Sequence, residues 1–272
     1  MNEWRVAEAP AKLNLTLLVG PVRPDWKHEV VTILERLSLT DTVAVRRAEQ
    51  TRVEGFPQDT LVRAALEALA GASGDGSCFE ARIEKRIPVA AGLGGGSSDA
   101  AAALRLANAL LDAPLVPERL HILAAGLGAD VPFFLRDGPQ LASGDGTELE
   151  PIELPRDYVV LLALPNGATK TSTAAVYSAF DRRGGERGFE ERRRMLRAAI
   201  DDLRTPRDLA KLPRNDLGGS PLAGELHRAG SFRADVTGAG PVVYALFDDE
   251  DAARQAGAEI AGSATTWLVA PA

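Results

Sequence analysis

At 272 residues the chain is long for one hydrophobic core and comfortable for two domains. Hydrophobic residues make up 45% and charged residues 25%, as in a folded globular chain, and no apolar run approaches the length of a membrane span. A net charge of −7 argues against nucleic acid as a partner and leaves room for a local basic pocket for an anionic small molecule. The opening MNEWRVAEAPAK has no signal-peptide pattern, and the single cysteine, Cys78, excludes an internal disulfide, so a cytoplasmic protein without a membrane anchor is expected. In chain order, residues 5–9 and 13–19 read as strands. The second places Leu13, Leu15 and Leu17 on one face and Lys12, Asn14 and Thr16 on the other. Only one face of such a strand needs burial, so spacing alone puts the polar face in water. Residues 43–49 read as a strand and 59–69 as a helix with Leu61, Val62, Ala65, Leu66 and Leu69 on one face and Asp59 as its cap. Phe79, Ala81 and Ile83 then alternate with Glu80, Arg82 and Glu84 in a strand leading to Lys85 and Arg86, which spacing alone leaves as a solvated strand end.

The next stretch, PVAAGLGGGSSDAAAAL over 88–104, runs an apolar approach into four glycines, two serines and an aspartate, and then into strong helix formers. Glycines let backbone N–H groups turn inward, and the following helix directs its unpaired donors and positive dipole end at an anion. Ser97, Ser98 and Asp99 suit the cap and first turn of that helix. A plain turn rarely needs Gly92, Gly94, Gly95 and Gly96 together. A Walker A loop needs a lysine that is absent here. Asp112 has the spacing of a dinucleotide-site acid but follows a helix. A lysine-free phosphate loop remains, and a side chain at Gly95, as in Gly95→Val, would be expected to fill the phosphate position.

Residues 117–127 read as a helix with Pro117 in its first turn, followed by GADVPFFL at 128–135, where Asp130 precedes an expected strand and alone would be a turn residue. From residue 155 the pattern becomes strand 158–164, helices 172–180, 189–203 and 222–227, strand 242–247, helix 252–260 and strand 265–269, a second α+β lobe. The run RRGGERG and Arg192 to Arg194 read as solvated surface.

The string Pro88 to Ser98 resembles the second motif of the galactokinase, homoserine kinase, mevalonate kinase and phosphomevalonate kinase superfamily. PAKLNL at 10–15, RPD at 23–25 with His28-Glu29, Asp41-Thr42-Val43, GADVPFF and RND at 214–216 resemble one branch of it, whose members phosphorylate a cytidine-diphosphate-linked methylerythritol. VTGAGP at 236–241 resembles the superfamily's third glycine motif, with Ala239 in place of the usual serine or threonine. The resemblance spans nearly the whole chain. It implies an α+β two-domain kinase fold: a ribosomal-protein-S5-like N-terminal domain, 1–154, and a ferredoxin-like C-terminal domain, 155–272, with ATP and substrate meeting in the cleft between them. It implies ATP-dependent phosphorylation of the substrate's 2-hydroxyl, on the non-mevalonate route to isoprenoid precursors, with ATP and Mg²⁺ as cofactors.

The same resemblance assigns Lys12 and Asp130 as catalytic, Asp130 as the base. Lys85, Pro88, Val89, Ala90, Ala91, Gly92, Leu93, Gly94, Gly95, Gly96, Ser97 and Ser98 would bind ATP, and Asn14, Trp26, Lys27, His28 and Tyr177 the substrate. No residue is assigned as a metal ligand, and a monomer or weak homodimer acting on a small molecule is expected. Trp26 and Lys27 stand where relatives carry glycine and a tyrosine that stacks on cytosine. Trp26 is expected to supply that ring opposite Tyr177, with Lys27 neutralising the diphosphate; the alternative is a Trp26 buried in the core.

Overall fold

The computed structural model describes residues 3–168 and 172–272. Its elements begin with β1 (Arg5–Val22), β2 (His28–Ala48), β3 (Arg52–Glu54), α1 (Leu61–Ser73), β4 (Cys78–Glu84), α2 (Gly95–Asn108), α3 (Pro117–Leu127), β5 (Gln140–Ser143) and β6 (Glu148–Pro151). They continue with β7 (Val159–Pro165), α4 (Thr173–Arg182), α5 (Phe189–Asp201), α6 (Pro221–Arg228), β8 (Arg233–Val236), β9 (Val243–Phe247), α7 (Glu250–Glu259) and β10 (Ala264–Val269). The α+β class is as expected, and among the described residues no helix is long and apolar enough to cross a membrane. The chain packs as two compact units. One comprises Met1–Ala11, Leu39–Val89 and Gly94–Asp137, the other Lys12–Ser38, Ala90–Leu93 and Gly138–Ala272. Strands β1 and β2 and the glycine-rich loop each contribute residues to both.

In the first unit, residues 42–48 of β2 pair antiparallel with β4, from Thr42 opposite Glu84 to Ala48 opposite Cys78, and β3 lies parallel to β4. Helix α1 buries Val62, Ala65, Leu66 and Leu69 and packs against α2, whose Ala100 to Ala103 are buried. The cap expected of Asp59 is present: its carboxylate accepts the N–H groups of Val62 at 3.1 Å and Arg63 at 3.2 Å.

In the second unit, the sheet order β10-β7-β9-β8, antiparallel throughout, has α6 between β7 and β8 and α7 between β9 and β10 in the chain, which is the ferredoxin-like arrangement. Its core packs Leu161, Val243, Ala245 and Phe247 of the sheet against Leu222, Leu226, Ala253 and Ala256 of the helices. A smaller cluster joins Leu17 and Val19 of β1, Val30 of β2, Phe180 of α4 and Leu217.

Sequence expectations change at β1 and β8. The strands read at 5–9 and 13–19 are one strand of 18 residues that runs through Pro10, a residue that strands tolerate where no ladder bond needs its N–H. Strand β8 was not foreseen, because Arg233 and Asp235 suggest solvent. Both are buried, and the Arg233 guanidinium is saturated by the carbonyls of Leu15, Leu209, Leu212 and Pro213 and the Tyr244 hydroxyl.

Candidate active site

The polar face of β1 does not face water. Lys12 and Asn14 are each 4% exposed and Thr16 is 1% exposed, so a lysine, an asparagine and a threonine two residues apart are carried into the second unit. Lys12 Nζ donates to Asn14 Oδ1, Asn14 Nδ2 donates to Thr32 Oγ1 at 2.8 Å, and Thr32 Oγ1 donates to the Thr16 carbonyl at 2.6 Å. A buried ammonium is costly unless hydrogen-bonded, which marks the face as chemically committed.

Two glycine loops lie against that face within the same unit. The Lys12 N–H donates to Leu93 O at 2.9 Å, which ties β1 to the first loop. A Cβ on Gly92, whose φ is +88°, would lie 2.7 Å from Thr237 O, and one on Gly240 would lie 2.3 Å from Ala91 O, so each loop fits the other only as glycine. A Cβ on Gly238, φ +58°, would stand 3.2 Å from Asn14 Oδ1 and 3.4 Å from Lys12 Nζ. The third glycine motif therefore packs beside the first glycine loop. A cavity of about 190 Å³ opens at Val176, Leu217 and Gly238 to Pro241.

Along the first loop Ala90, Gly92 and Gly94 take left-handed φ of 60°, 88° and 70°. Helix α2 starts at Gly95, earlier than the serines suggest, with Gly94 as its cap and no side-chain cap bond. Its first donors are thus left for an anion. Ser98 Oγ and Asp99 Oδ1 are buried and find no hydrogen-bond partner among the described residues.

Beneath this helix start, in the first unit, Lys85 is not a solvated strand end. Its Nζ donates to Asp41 Oδ2 and, at 2.8 Å, to Asp99 Oδ2, while Asp41 Oδ1 accepts the N–H groups of Arg86 at 2.6 Å and Ile87 at 2.8 Å. Asp41 and Asp99 were not foreseen as site residues, although Asp41 falls in the quoted Asp-Thr-Val string. Together they fasten the approach to the loop and the helix after it to one ammonium. A Cβ on Gly95 would point at this cluster, 3.1 Å from Ile87 Cγ2, 3.2 Å from Lys85 Nζ and 3.3 Å from Asp41 Oδ2. Gly95→Val therefore acts on the ion cluster, a correction to the expectation that its branches fill the phosphate position.

Burial pushes the Asp99 carboxyl up to about 7, against the hydrogen bond from Lys85 and with help from the neighbouring Asp41 charge. Burial also pushes Lys85 down, but its two carboxylate partners outweigh this and its pKa is raised. A carboxyl whose folded pKa exceeds its ordinary 3.8 contributes stability fully below about pH 4, and loses it as the pH rises through about 7. Urea unfolding from about pH 5 to pH 8 is expected to show this loss, with a slope of at most about 1.4 kcal/mol per pH unit from this group. Asp99→Asn is expected to flatten that slope, and a variant as steep as the parent would place the proton elsewhere.

Asp130 is half-buried in a turn of the first unit, ahead of the 3₁₀ turn Pro132–Leu135 rather than the expected strand. Pro132, Phe133 and Phe134 behind it are buried. On the second unit, His28 Nε2 pairs with Asp181 Oδ1 at 2.8 Å, and its ring lies 4.9 Å from that of Tyr177. Lys27 forms an ion pair with Asp145. Trp26 is 89% exposed, which excludes the core-filling alternative, and has φ 64°. That left-handed backbone suits glycine, and a side chain there accepts a strain of about 1 kcal/mol.

Comparison with known proteins matches the family described as GHMP kinases N terminal domain to residues 60–138 and GHMP kinases C terminal to residues 221–264. The 4-diphosphocytidyl-2-C-methyl-D-erythritol kinase of Gloeobacter violaceus is 38% identical, over 93% of this chain and 89% of that protein. The protein of that name in Geobacter sulfurreducens is 36% identical, over 97% and 96%. Among solved structures, a 4-(cytidine 5'-diphospho)-2C-methyl-D-erythritol kinase superposes with TM-score 0.78 at 28% identity, covering 98% of this chain and all of that one, 100%. The Methanococcus jannaschii mevalonate kinase, 13% identical with TM-score 0.75 and 99% of each chain covered, shares the fold.

Proposed function

The chain belongs to the 4-diphosphocytidyl-2-C-methyl-D-erythritol kinases, a branch of the GHMP kinases, and from that membership we propose that it phosphorylates the 2-hydroxyl of 4-diphosphocytidyl-2-C-methyl-D-erythritol with ATP. What supports this most is the buried Lys12–Asn14 pair lying against both glycine loops, an ammonium held beside backbone built to receive phosphate. Such a transfer needs in-line placement and stabilisation of spread negative charge more than covalent help from the protein.

In this reading Lys85 and Pro88 to Ser98 form the ATP side, with loop amides and the first donors of α2 holding the phosphates. Ser98 Oγ, buried without a hydrogen-bond partner, would help hold Mg²⁺, which would supply positive charge to offset that of the phosphates. Asp130 accepts the hydroxyl proton, its apolar flank keeping water away, and the Lys12 ammonium favours the developing alkoxide. Asn14 and His28 orient the erythritol and diphosphate. Tyr177 and the exposed Trp26 take the cytosine, and Lys27 the diphosphate. Residues 1–154 serve as the ATP-binding and catalytic domain and 155–272 as the substrate-side domain, each range enclosing one family match. The enzyme works in the cytoplasm as a monomer or weak homodimer.

The test is a coupled ADP-release assay against a panel of the cytidine-diphosphate alcohol, homoserine and mevalonate. Release is expected with the first alone; release with homoserine or mevalonate and not with the first would overturn the assignment.

A further inference from the structure

Building on the kinase reading above, we propose that Thr237, with Asn215 behind it, is a positioning residue that fixes the Lys12 ammonium through Asn14. Thr237 is fully buried and its hydroxyl acts in two directions: Oγ1 accepts the backbone N–H of Asn14 at 3.0 Å and donates to Asn14 Oδ1 at 3.4 Å. Asn14 Oδ1 also receives Lys12 Nζ, while Asn14 Nδ2 is spent on Thr32 Oγ1 at 2.8 Å. With both ends of the amide engaged, its carbonyl is held toward the ammonium. Lysine carries rotatable donors on a flexible stem, so a fixed acceptor restricts where the Lys12 ammonium sits.

Asn215 in turn brackets Thr237. Its Nδ2 donates to the carbonyls of the residues on either side, Val236 at 3.2 Å and Gly238 at 2.8 Å. Its Oδ1 accepts the Leu217 N–H at 2.8 Å, and its own N–H donates to Asp235 Oδ2 at 2.9 Å. The next residue fastens this segment to the strand that carries Lys12: Asp216 N–H donates to Leu17 O at 2.8 Å, and Asp216 Oδ2 accepts the Val19 N–H at 2.9 Å. Residues 215 and 216 are thus bonded to β1 on one side and to the third glycine loop on the other. The Arg-Asn-Asp string, for which sequence offers no task, holds the strand and the loop in register so that the Thr237 hydroxyl meets Asn14. All of these groups lie in the second unit.

A merely structural network would change stability and leave the chemistry alone. Thr237→Val keeps the branched shape and removes the oxygen. It is expected to lower kcat roughly 10-fold to 100-fold, with KM for ATP and for the cytidine diphosphate substrate within about twofold of the parent. Thr237→Ser, which restores the hydroxyl, is expected to restore the rate. Acylation of Lys12 by a dilute amine-reactive reagent, followed by peptide mass spectrometry, should be several-fold faster in Thr237→Val because the ammonium leaves Asn14. If Thr237→Val does not fold, Asn215→Ala, which frees the two carbonyls, replaces it with the same readouts expected. A folded variant with native kcat and native Lys12 acylation overturns the proposal, as does one in which only KM rises. A parent protein that cannot phosphorylate the cytidine diphosphate substrate overturns the functional reading instead, and the acylation arm, which needs no substrate, still decides the role of Thr237.

Discussion

Asp130→Asn is expected to lower kcat by roughly 10²-fold to 10⁴-fold with little change in KM for either substrate, the range for loss of a positioned general base. The substitution keeps the size and most of the hydrogen-bonding reach of the side chain and removes its ability to take a proton. Asp130 lies in a turn that leads into the buried Pro132, Phe133 and Phe134. Steady-state kinetics beside a melt separate loss of chemistry from loss of folding in Asp130→Asn. Turnover within a few-fold of the parent would remove Asp130 from the role of base.

The second large effect is expected at Gly240. A Cβ there would stand 2.3 Å from Ala91 O, 2.5 Å from Ala91 C and 2.6 Å from the Gly92 Cα, all backbone atoms that cannot swing aside. Gly92 has the reciprocal constraint, since its own Cβ would meet Thr237 O at 2.7 Å and the Gly240 Cα at 3.0 Å. Gly240→Ala must therefore part the two loops, an overpacking that costs about 1–3 kcal/mol in stability or moves the loop amides off the phosphates. The expected result is a loss of ATP affinity of at least about 10-fold by calorimetry, together with a lower unfolding midpoint. Gly126→Ala is the control: its Cβ meets nothing within 4 Å and it lies within α3, so ATP affinity should be unchanged. Native affinity and midpoint in Gly240→Ala would contradict the interlocking of the loops.

Helix α3 matches the residues expected of it, 117–127, because Pro117 opens it and glycine closes it, signals that act within a few residues. Most elements of the second α+β lobe were legible for the same reason, as continuous apolar runs or helical spacing at Val243–Phe247 and Pro221–Arg228, while their ferredoxin-like arrangement came from the resemblance. Strand β8 was not, because the partners that make Arg233 and Asp235 tolerable in a core are carbonyls and a hydroxyl supplied from residues such as Leu15 and Tyr244. The start of α2 shifted for a related reason: serines favour caps in general, but Gly94 in a left-handed turn already closes the loop at that point.

The glycine run, the PAKLNL strand and the GADVPFF turn are chemical strings whose meaning travels with the residues, and these alone carried the phosphate loop, the kinase class and the family. Local patterns fix a lysine-free anion loop because glycine's freedom at positive φ and the free donors of a helix start belong to short stretches of backbone, while the kinase class and the family came from the resemblance. Long-range packing settled the rest. It buried the polar face of β1, joined Lys85 to Asp41 and Asp99, and placed Thr237 between Asn14 and Asn215. Thr237 and Asn14 are 223 positions apart, and Asp41 and Lys85 are 44 apart. No periodicity or spacing rule relates residues at such distances, because their meeting depends on how sheets and helices stack after local structure has formed. The burial of Lys12 and its hydrogen-bond partners were therefore decided by the fold.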